Sequence, residues 1–517
     1  MPLKKKKNKK IKKSQLTKLI NVSDSVLAPT VQMPLQTVTQ RISQAIENGN
    51  NNQAKHWLLQ VIEQCPNEEE PPVLLMNLLS RNREINEAEL LAKKILRLYP
   101  KSAEVLQTVA AFYRGINRIE DALDILNSAL PVAANKCAIY RNIAFTYTTM
   151  GNTEEAIKAF KQALAINKRD IYAYWGYLRL DIKNFPEALI EDLQQVLQAC
   201  SNDKKLLAAG SFTLAWYYEK RDLQRYWKYL HIANGAVDTS AEYISTAGQN
   251  NHRLFSAEHL AAQPAAQPPE QRPVFIVAPP RSGTTLLEQI LGAHHLTKGT
   301  GESLAFNHAV NETCKAHRLT HAIKDWPDEH MPEYAELLNK SFLRFPLIKE
   351  AKGHVVVDKS IENFKFVGAI LSAFPQAKII RLRRHPLDTL LSCYHQFFES
   401  SYDQLFNLDA LANYYLEFEQ QMDYWETAYP NQIFRVKYED LVGQPEGIIP
   451  ELVKFCGLPW DDACLSHHTN VGTIITSSDI QVRQPVHTKA IAKWKHHEKY
   501  LAPVINIIDP VYPLDQY

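Results

Sequence analysis

A period of 34 residues constrains this chain more than any other feature. Ala54, Ala88, Ala122 and Ala156 are spaced by it, as are Ala110 and Ala144, Tyr113 and Tyr147, Ala129 and Ala163, Pro66 and Pro100, and the series Leu96, Leu130 and Leu164. Gly151-Asn152 falls four residues after Tyr147, where a turn between helices is due. Almost no strand signal interrupts residues 36 to 235. Small residues where helices cross, with an aromatic before the turn, mark a helix–turn–helix repeat. One such pair cannot bury its apolar face alone, so the pairs must stack into a curved, all-α superhelix. The period fades from Asp181 to Gly235, around a cluster of Trp175, Tyr177, Trp216, Tyr217, Tyr218, Tyr226 and Trp227. The expected role of that cluster is packing of irregular last helices toward the next domain. A stacking platform for bases is the rival reading.

Between residues 255 and 272, Pro264, Pro268 and Pro269 alternate with alanine and glutamine and read as a semi-extended linker. The chain therefore divides into a basic tail (1–35), a helical repeat domain (36–254), the linker (255–272) and a second domain (273–517). In that domain Val355–Val357, Lys378–Leu382 and Ile433–Val436 read as strands; Leu387–Phe398, Leu411–Ala428 and Ile448–Phe455 read as helices. Such alternation predicts an α/β domain with a parallel sheet covered on both faces.

The second domain opens on PVFIVAPPRSGTTLLEQIL, Pro273 to Leu291. Val274 to Val277 suits a buried strand, and Pro279 and Pro280 end it for want of an amide hydrogen. Arg281-Ser282-Gly283-Thr284-Thr285 follows, then Leu286, Leu287, Ile290 and Leu291 at helical spacing. Strand, tight loop and helix bring backbone N–H groups and a helix N-terminus to one point, which is a phosphate site. The Walker pattern would require lysine at Thr284 and glycine at Ala278. Neither is present, so this P-loop-like turn suits a single phosphate without metal, and a phosphoryl-transferring kinase or nucleotidase is disfavoured. Further on, a strand delivers Arg384 to its C-terminal end and a helix carries Ser392. A guanidinium fork and a hydroxyl so placed can hold a second phosphate.

Composition adds limits. The 517 residues suffice for two or three domains, and 45% hydrophobic with 22% charged residues is ordinary for a globular protein. A net charge of +2 gives no reason to expect specific nucleic-acid binding. Seven scattered cysteines without a C-x-x-C pair argue for free thiols in a reducing compartment, the cytoplasm. No apolar run approaches the about eighteen residues of a membrane span. Eight lysines between Lys4 and Lys13 read as a solvated tail or as a weak contact with anionic surfaces.

The two phosphate elements together resemble sulfotransferases that use 3′-phosphoadenosine-5′-phosphosulfate (PAPS). Arg281 to Thr285 is similar to their 5′-phosphosulfate loop. Arg384 and Ser392 are similar to their 3′-phosphate element, R-[DN]-P-x5-S, with His385 in place of the acid or amide. From Pro273 to Trp494 the chain resembles tyrosylprotein sulfotransferases and bacterial proteins in which such a domain follows tetratricopeptide (TPR) repeats. The resemblance implies a catalytic acid/base at Glu302 in Gly301-Glu302, a lysine on the transferring group at Lys359, and nucleotide contacts from Tyr438 and Lys493. It also implies a serine at the sulfonate, Ser477 or Ser478, since that loop carries one extra residue. The family's arginines after the Gly-Glu element are absent from Leu304-Ala305-Phe306-Asn307, its basic residue four positions after Ser392 is Gln396, and the N-terminal anchor of the animal enzymes is missing. The implied activity is metal-free sulfuryl transfer from PAPS to a hydroxyl: a protein tyrosine held by the TPR domain, or a glycan or small molecule. A catalytically inactive TPR adaptor is the third reading.

Overall fold

The computed structural model describes residues 18–24, 29–47, 50–82, 84–116, 118–200, 202–237, 252, 255, 272–319, 323, 326–398, 403–469 and 487–517. The lysine run, nearly all of the linker, and Ser477 and Ser478 lie outside them. Contacts divide the chain into two units, Met1–Ala199 and Cys200–Tyr517.

The first unit begins with an antiparallel hairpin, β1 (Leu19–Val22) and β2 (Val31–Pro34), inside the stretch expected to be tail. Its four-residue strands are too short to stand out in sequence, but Ile20 and Val22 alternate inward and are buried. Ten helices follow among the described residues: α1 (Leu35–Glu47), α2 (Asn51–Gln64), α3 (Glu70–Arg81), α4 (Ile85–Leu98), α5 (Ala103–Gly115), α6 (Ile119–Ala129), α7 (Lys136–Met150), α8 (Thr153–Ile166), α9 (Ile171–Leu180) and α10 (Glu187–Ala199). The period has a direct packing cause. Ala54, Ala88, Ala122 and Ala156 sit on α2, α4, α6 and α8, and all four are fully buried. Turns carry their own caps: Asn152, after Gly151 at φ +79°, accepts from the Glu155 amide, and Asp170 accepts from the Ala173 amide.

In the second unit, α11 (Lys204–Tyr218) and α12 (Leu223–Ala236) pack with the α/β domain. Trp216 Nε1 donates to the His395 carbonyl at 2.9 Å, Asn234 Nδ2 to the Tyr394 carbonyl at 3.0 Å, and Trp227 stacks on Tyr500. The sheet has five parallel strands in the order β4-β5-β3-β6-β7: β3 (Val274–Val277), β4 (Thr297–Gly299), β5 (Val355–Asp358), β6 (Lys378–Arg383) and β7 (Ile433–Lys437). Alternate residues feed two cores. Phe275 and Val277 join Val356 and Ile379 on one face, and Val274 and Ile276 join Val357, Ile380 and Leu382 on the other. The helices that matter for the site are α13 (Thr284–Gly292), α14 (Ala305–His317) and α15 (Pro386–Tyr394). The last was expected to reach Phe398. It stops at Tyr394 because donors from α11 and α12 take the Tyr394 and His395 carbonyls. No helix among the described residues is long and apolar enough to cross a membrane.

Candidate active site

Four strands of one parallel sheet end at the same edge, so the residues that follow them are brought together by topology. Arg281 to Thr285 follow β3, Lys359 follows β5, Arg384 follows β6 and Tyr438 follows β7. This is where open parallel sheets bind ligands, outside the carboxyl ends of strands at the point where strand order reverses.

The loop after β3 is bent by two positive φ angles, +68° at Arg281 and +103° at Gly283. Gly283 is obligatory for a second reason. A Cβ there would lie 2.6 Å from the Tyr438 ring, so Tyr438 closes one side of the loop. Thr284 and Thr285, both buried, begin α13, which places the positive end of the helix dipole at the loop. Ser282 is wholly buried and its Oγ has no partner among the described residues.

Arg384 and Ser392 join the same loop. Arg281 Nε donates to Ser392 Oγ at 3.2 Å, and Arg384 Nη1 donates to the Arg281 carbonyl at 2.8 Å. Arg384 Nη2 donates to the Ala490 carbonyl at 2.7 Å, the guanidinium lies over Tyr438, and its buried Nε has no partner among the described residues. Burial pushes the Tyr438 hydroxyl up, against the pull of Arg384. Arg384 thus also ties the loop to the C-terminal segment. Asp388, buried on α15, strengthens that tie by accepting from the Ala492 and Trp494 amides at 2.7 and 2.9 Å. His385, the departure from the family pattern, stacks on Trp494 with its ring centroid 4.9 Å away.

One strand over from the loop, Lys359 is completely buried, and its Nζ donates to Glu302 Oε1 at 2.8 Å. Glu302 is 44% exposed, so one side of its carboxylate meets the ammonium and the other meets solvent. Backbone bonds place the pair: the Thr300 amide donates to the Val357 carbonyl at 2.9 Å and the Lys359 amide to the Gly301 carbonyl at 3.2 Å. Asp358 accepts from the Ser303 hydroxyl, the Ser360 amide and Asn363 Nδ2, which fixes the chain on both sides of Lys359.

Lys493 does not join the cluster through its ammonium, which lies 3.6 Å from Glu219 at the end of α11. His294 and His295 follow α13 and are committed elsewhere. His294 Nε2 meets the Pro459 carbonyl at 2.8 Å and His295 Nδ1 meets Asp461 at 2.7 Å. Sequence reading missed Glu288, Asp388 and Glu439, the last of which accepts from the His385 amide at 3.0 Å. Each is a carboxylate on or beside a short helix at the site, and Glu288 interrupts the apolar run 286–291, which was the available signal.

Residues 273–462 match the sulfotransferase family, and residues 138–170 match a tetratricopeptide repeat. The chain carries a sulfotransferase-family domain. An uncharacterized protein of Aquifex aeolicus (strain VF5) is 31% identical over 405 residues, 76% of this chain and 53% of that protein. Protein-tyrosine sulfotransferase A of Caenorhabditis elegans is 25% identical over 235 residues, 43% of this chain and 60% of the relative. The chain therefore spans less than two thirds of the length of either. The sulfotransferase domain of the Synechococcus PCC 7002 olefin synthase aligns over 45% of this chain and 91% of its own, at 20% identity and a TM-score of 0.33.

Proposed function

We propose that this chain transfers a sulfuryl group from PAPS to an acceptor hydroxyl, with a protein tyrosine as the acceptor. The observation that carries the reading is a pair of buried donors at the loop, Ser282 Oγ and Arg384 Nε, for which the described residues supply no acceptor. Buried polar groups are normally paired, so two orphans beside a helix N-terminus fit an anionic ligand. Arg281, Ser282, Gly283, Thr284 and Thr285 would hold the 5′-phosphosulfate. Arg384 and Ser392 would hold the 3′-phosphate, which selects against ATP, with Tyr438 and Lys493 completing the nucleotide contacts. Ser477 or Ser478 would meet the sulfonate.

PAPS supplies the activated sulfuryl group; positioning and charge are what the protein adds. Glu302 would take the acceptor proton, because its exposed edge faces an incoming hydroxyl while Lys359 fixes the other edge. A carboxylate is a far weaker base than a phenolate, so the proton would move only as the phenol oxygen commits its electrons to sulfur. Lys359, whose ammonium is held out of water, would offset charge on the bridging oxygen. Arg281 would do the same for the sulfonate. The TPR unit would hold a protein acceptor, the mode its stacked repeats provide. Seven free thiols support a cytoplasmic setting.

A glycan or small-molecule hydroxyl is the second reading. It is favoured by Ala305 and Phe306, which are buried at the start of α14 where the resembled family carries peptide-binding arginines. The cofactor is tested by titration calorimetry with the product nucleotide PAP. Micromolar binding that ATP does not displace is expected, weakened by about 2 kcal/mol in Arg384→Ala. A folded wild type that binds no PAP would overturn the assignment and favour the adaptor reading.

A further inference from the structure

Glu288 has no place in the chemistry so far, yet it is a carboxyl buried at the site. It lies one turn into α13, on the same helical face as Thr284 of the anion loop, and is 5% exposed. An isolated carboxylate in such surroundings carries a large desolvation cost, so its contacts should show why it is tolerated. Its Oε1 accepts from the Gly301 amide at 2.6 Å. Gly299 leaves it room, since a Cβ there would come within 3.0 Å of the same oxygen. Gly301 turns at φ +64°, which delivers Glu302 to Lys359.

The segment from Thr300 to Glu302 is therefore held at three backbone points. Two are bonds to the end of β5, through the Thr300 amide and the Gly301 carbonyl. The third, on the Gly301 amide, comes from the helix that forms the anion loop. Without it the N–H of the Thr300–Gly301 peptide loses this acceptor, and the Glu302 carboxylate loses its fixed position against Lys359.

We propose that Glu288 is a positioning residue that clamps the Gly301 amide and so couples the anion-binding helix to the placement of Glu302. The functional half of this proposal rests on the sulfuryl-transfer reading; the clamp itself does not. The charged groups that bear on Glu288 are Lys359 and Asp358 at the end of β5 and Glu302 in the loop after β4. Burial, partly offset by Lys359 and the Gly301 amide, pushes its pKa up to about 7. Either protonation state can accept from the amide. Only the anion adds a second negative charge that competes with Glu302 for the Lys359 ammonium. Turnover should therefore bend near pH 7, where Glu288 titrates.

The test uses the full chain as wild type, Glu288→Gln and Glu288→Ala. Glutamine keeps a carbonyl oxygen for the amide but cannot titrate; alanine removes both functions. The first readout is hydrogen exchange across residues 299–303, which needs no turnover. Exchange should be about tenfold or more faster in Glu288→Ala and near wild type in Glu288→Gln. The second readout is transfer from PAPS to a tyrosine-containing acidic peptide. In Glu288→Ala, kcat should fall about tenfold or more with the PAPS KM within about twofold, because the donor-binding residues are untouched. Glu288→Gln should recover most of that loss and lack the bend near pH 7. Unchanged exchange at 299–303 in a folded Glu288→Ala variant would overturn the clamp. Faster exchange with unchanged kcat and pH profile would overturn its role in catalysis. A wild type that neither binds PAP nor turns over would instead sink the sulfuryl-transfer reading, while the exchange result still decides the clamp.

Discussion

The two units spend their polar residues in opposite ways. Among the described residues of Met1–Ala199, Thr146 and Asp170 are the buried polar or charged side chains, and Asp170 is answered by its helix cap and by Arg141 at 2.7 Å. The second unit buries Glu288, Asp358, Lys359, Arg381, Arg384, Asp388 and Glu419. A repeat needs no buried charge, because each helix pair presents the same small and apolar residues to the next and polar groups serve at turns. A charge held out of water costs stability, and it is retained where a field must be aimed. The contrast separates a unit built to stack from a unit built to hold charge in place.

The sharpest way to break that contrast is Lys359→Met, which leaves a methylene stem in the same volume without the ammonium. Turnover should fall about a thousandfold, as when one preorganised electrostatic group is lost, while PAP binding in calorimetry changes little. Equal turnover in a folded variant would mean that this buried charge is architecture. Arg381 supplies the matching control. Its guanidinium is fully buried against Glu419, Asp423 and Glu426, on the far side of β6 from the loop-facing residues. Arg381→Met should destabilise the protein by roughly 3 kcal/mol in urea unfolding, because Glu419 is left buried without that partner. PAP affinity of the folded fraction should stay at the wild-type value.

Glu288 gives a third test, through pH. Its folded pKa is raised, so between its unfolded value and about 7 the folded state binds the extra proton. Its neutral form is the one the buried site accepts, and the corresponding stability is present in acid and lost as pH rises through about 7. Relative to Glu288→Gln, the wild type should lose of order 3 kcal/mol between pH 5 and pH 8 in urea unfolding. A constant difference across that range would mean that the carboxyl is ionised throughout.

These effects also explain what could be read from sequence. The repeat was legible because one requirement, a small residue where helices cross, recurs at Ala54, Ala88, Ala122 and Ala156. The strands β3, β5 and β6 were legible because they are buried inside the sheet, which favours apolar residues in succession such as Val274 to Val277, and the edge strand β7 was legible from Ile433, Phe434 and Val436. β4 was not: Thr297–Gly299 is three residues long, and an edge strand needs no apolar run. Nor was the hairpin at Leu19–Pro34, which sits next to a lysine-rich stretch that dominates local composition. At the site, Arg281 and Arg384 stood out because each follows a strand and precedes a helix, whereas Lys359 and Tyr438 were singled out by the family resemblance; all four follow strands of the one sheet. Glu288 was missed because its partner, the Gly301 amide, lies thirteen residues away and carries no side-chain signal.

The smallest expected effects belong to the repeat unit, and they test whether its polar residues are confined to local work. Asn152 is suited to this. Its side chain accepts from the Glu155 amide at 3.3 Å and caps α8, next to the left-handed Gly151. Asn152→Ala removes one acceptor from a helix start that leaves several amides unpaired, and should cost about 1 kcal/mol in urea unfolding. Gly176 is the contrasting position in the same unit: an added Cβ would fall 2.2 Å from the Phe160 ring, so Gly176→Ala must displace a packed aromatic and should cost about 2 kcal/mol. Neither change should alter PAP affinity, which depends on groups after β3 and β6. If Asn152→Ala weakened PAP binding while Gly176→Ala did not, the cap would have a role in the nucleotide site, and the division between a stacking unit and a charge-holding unit would fail.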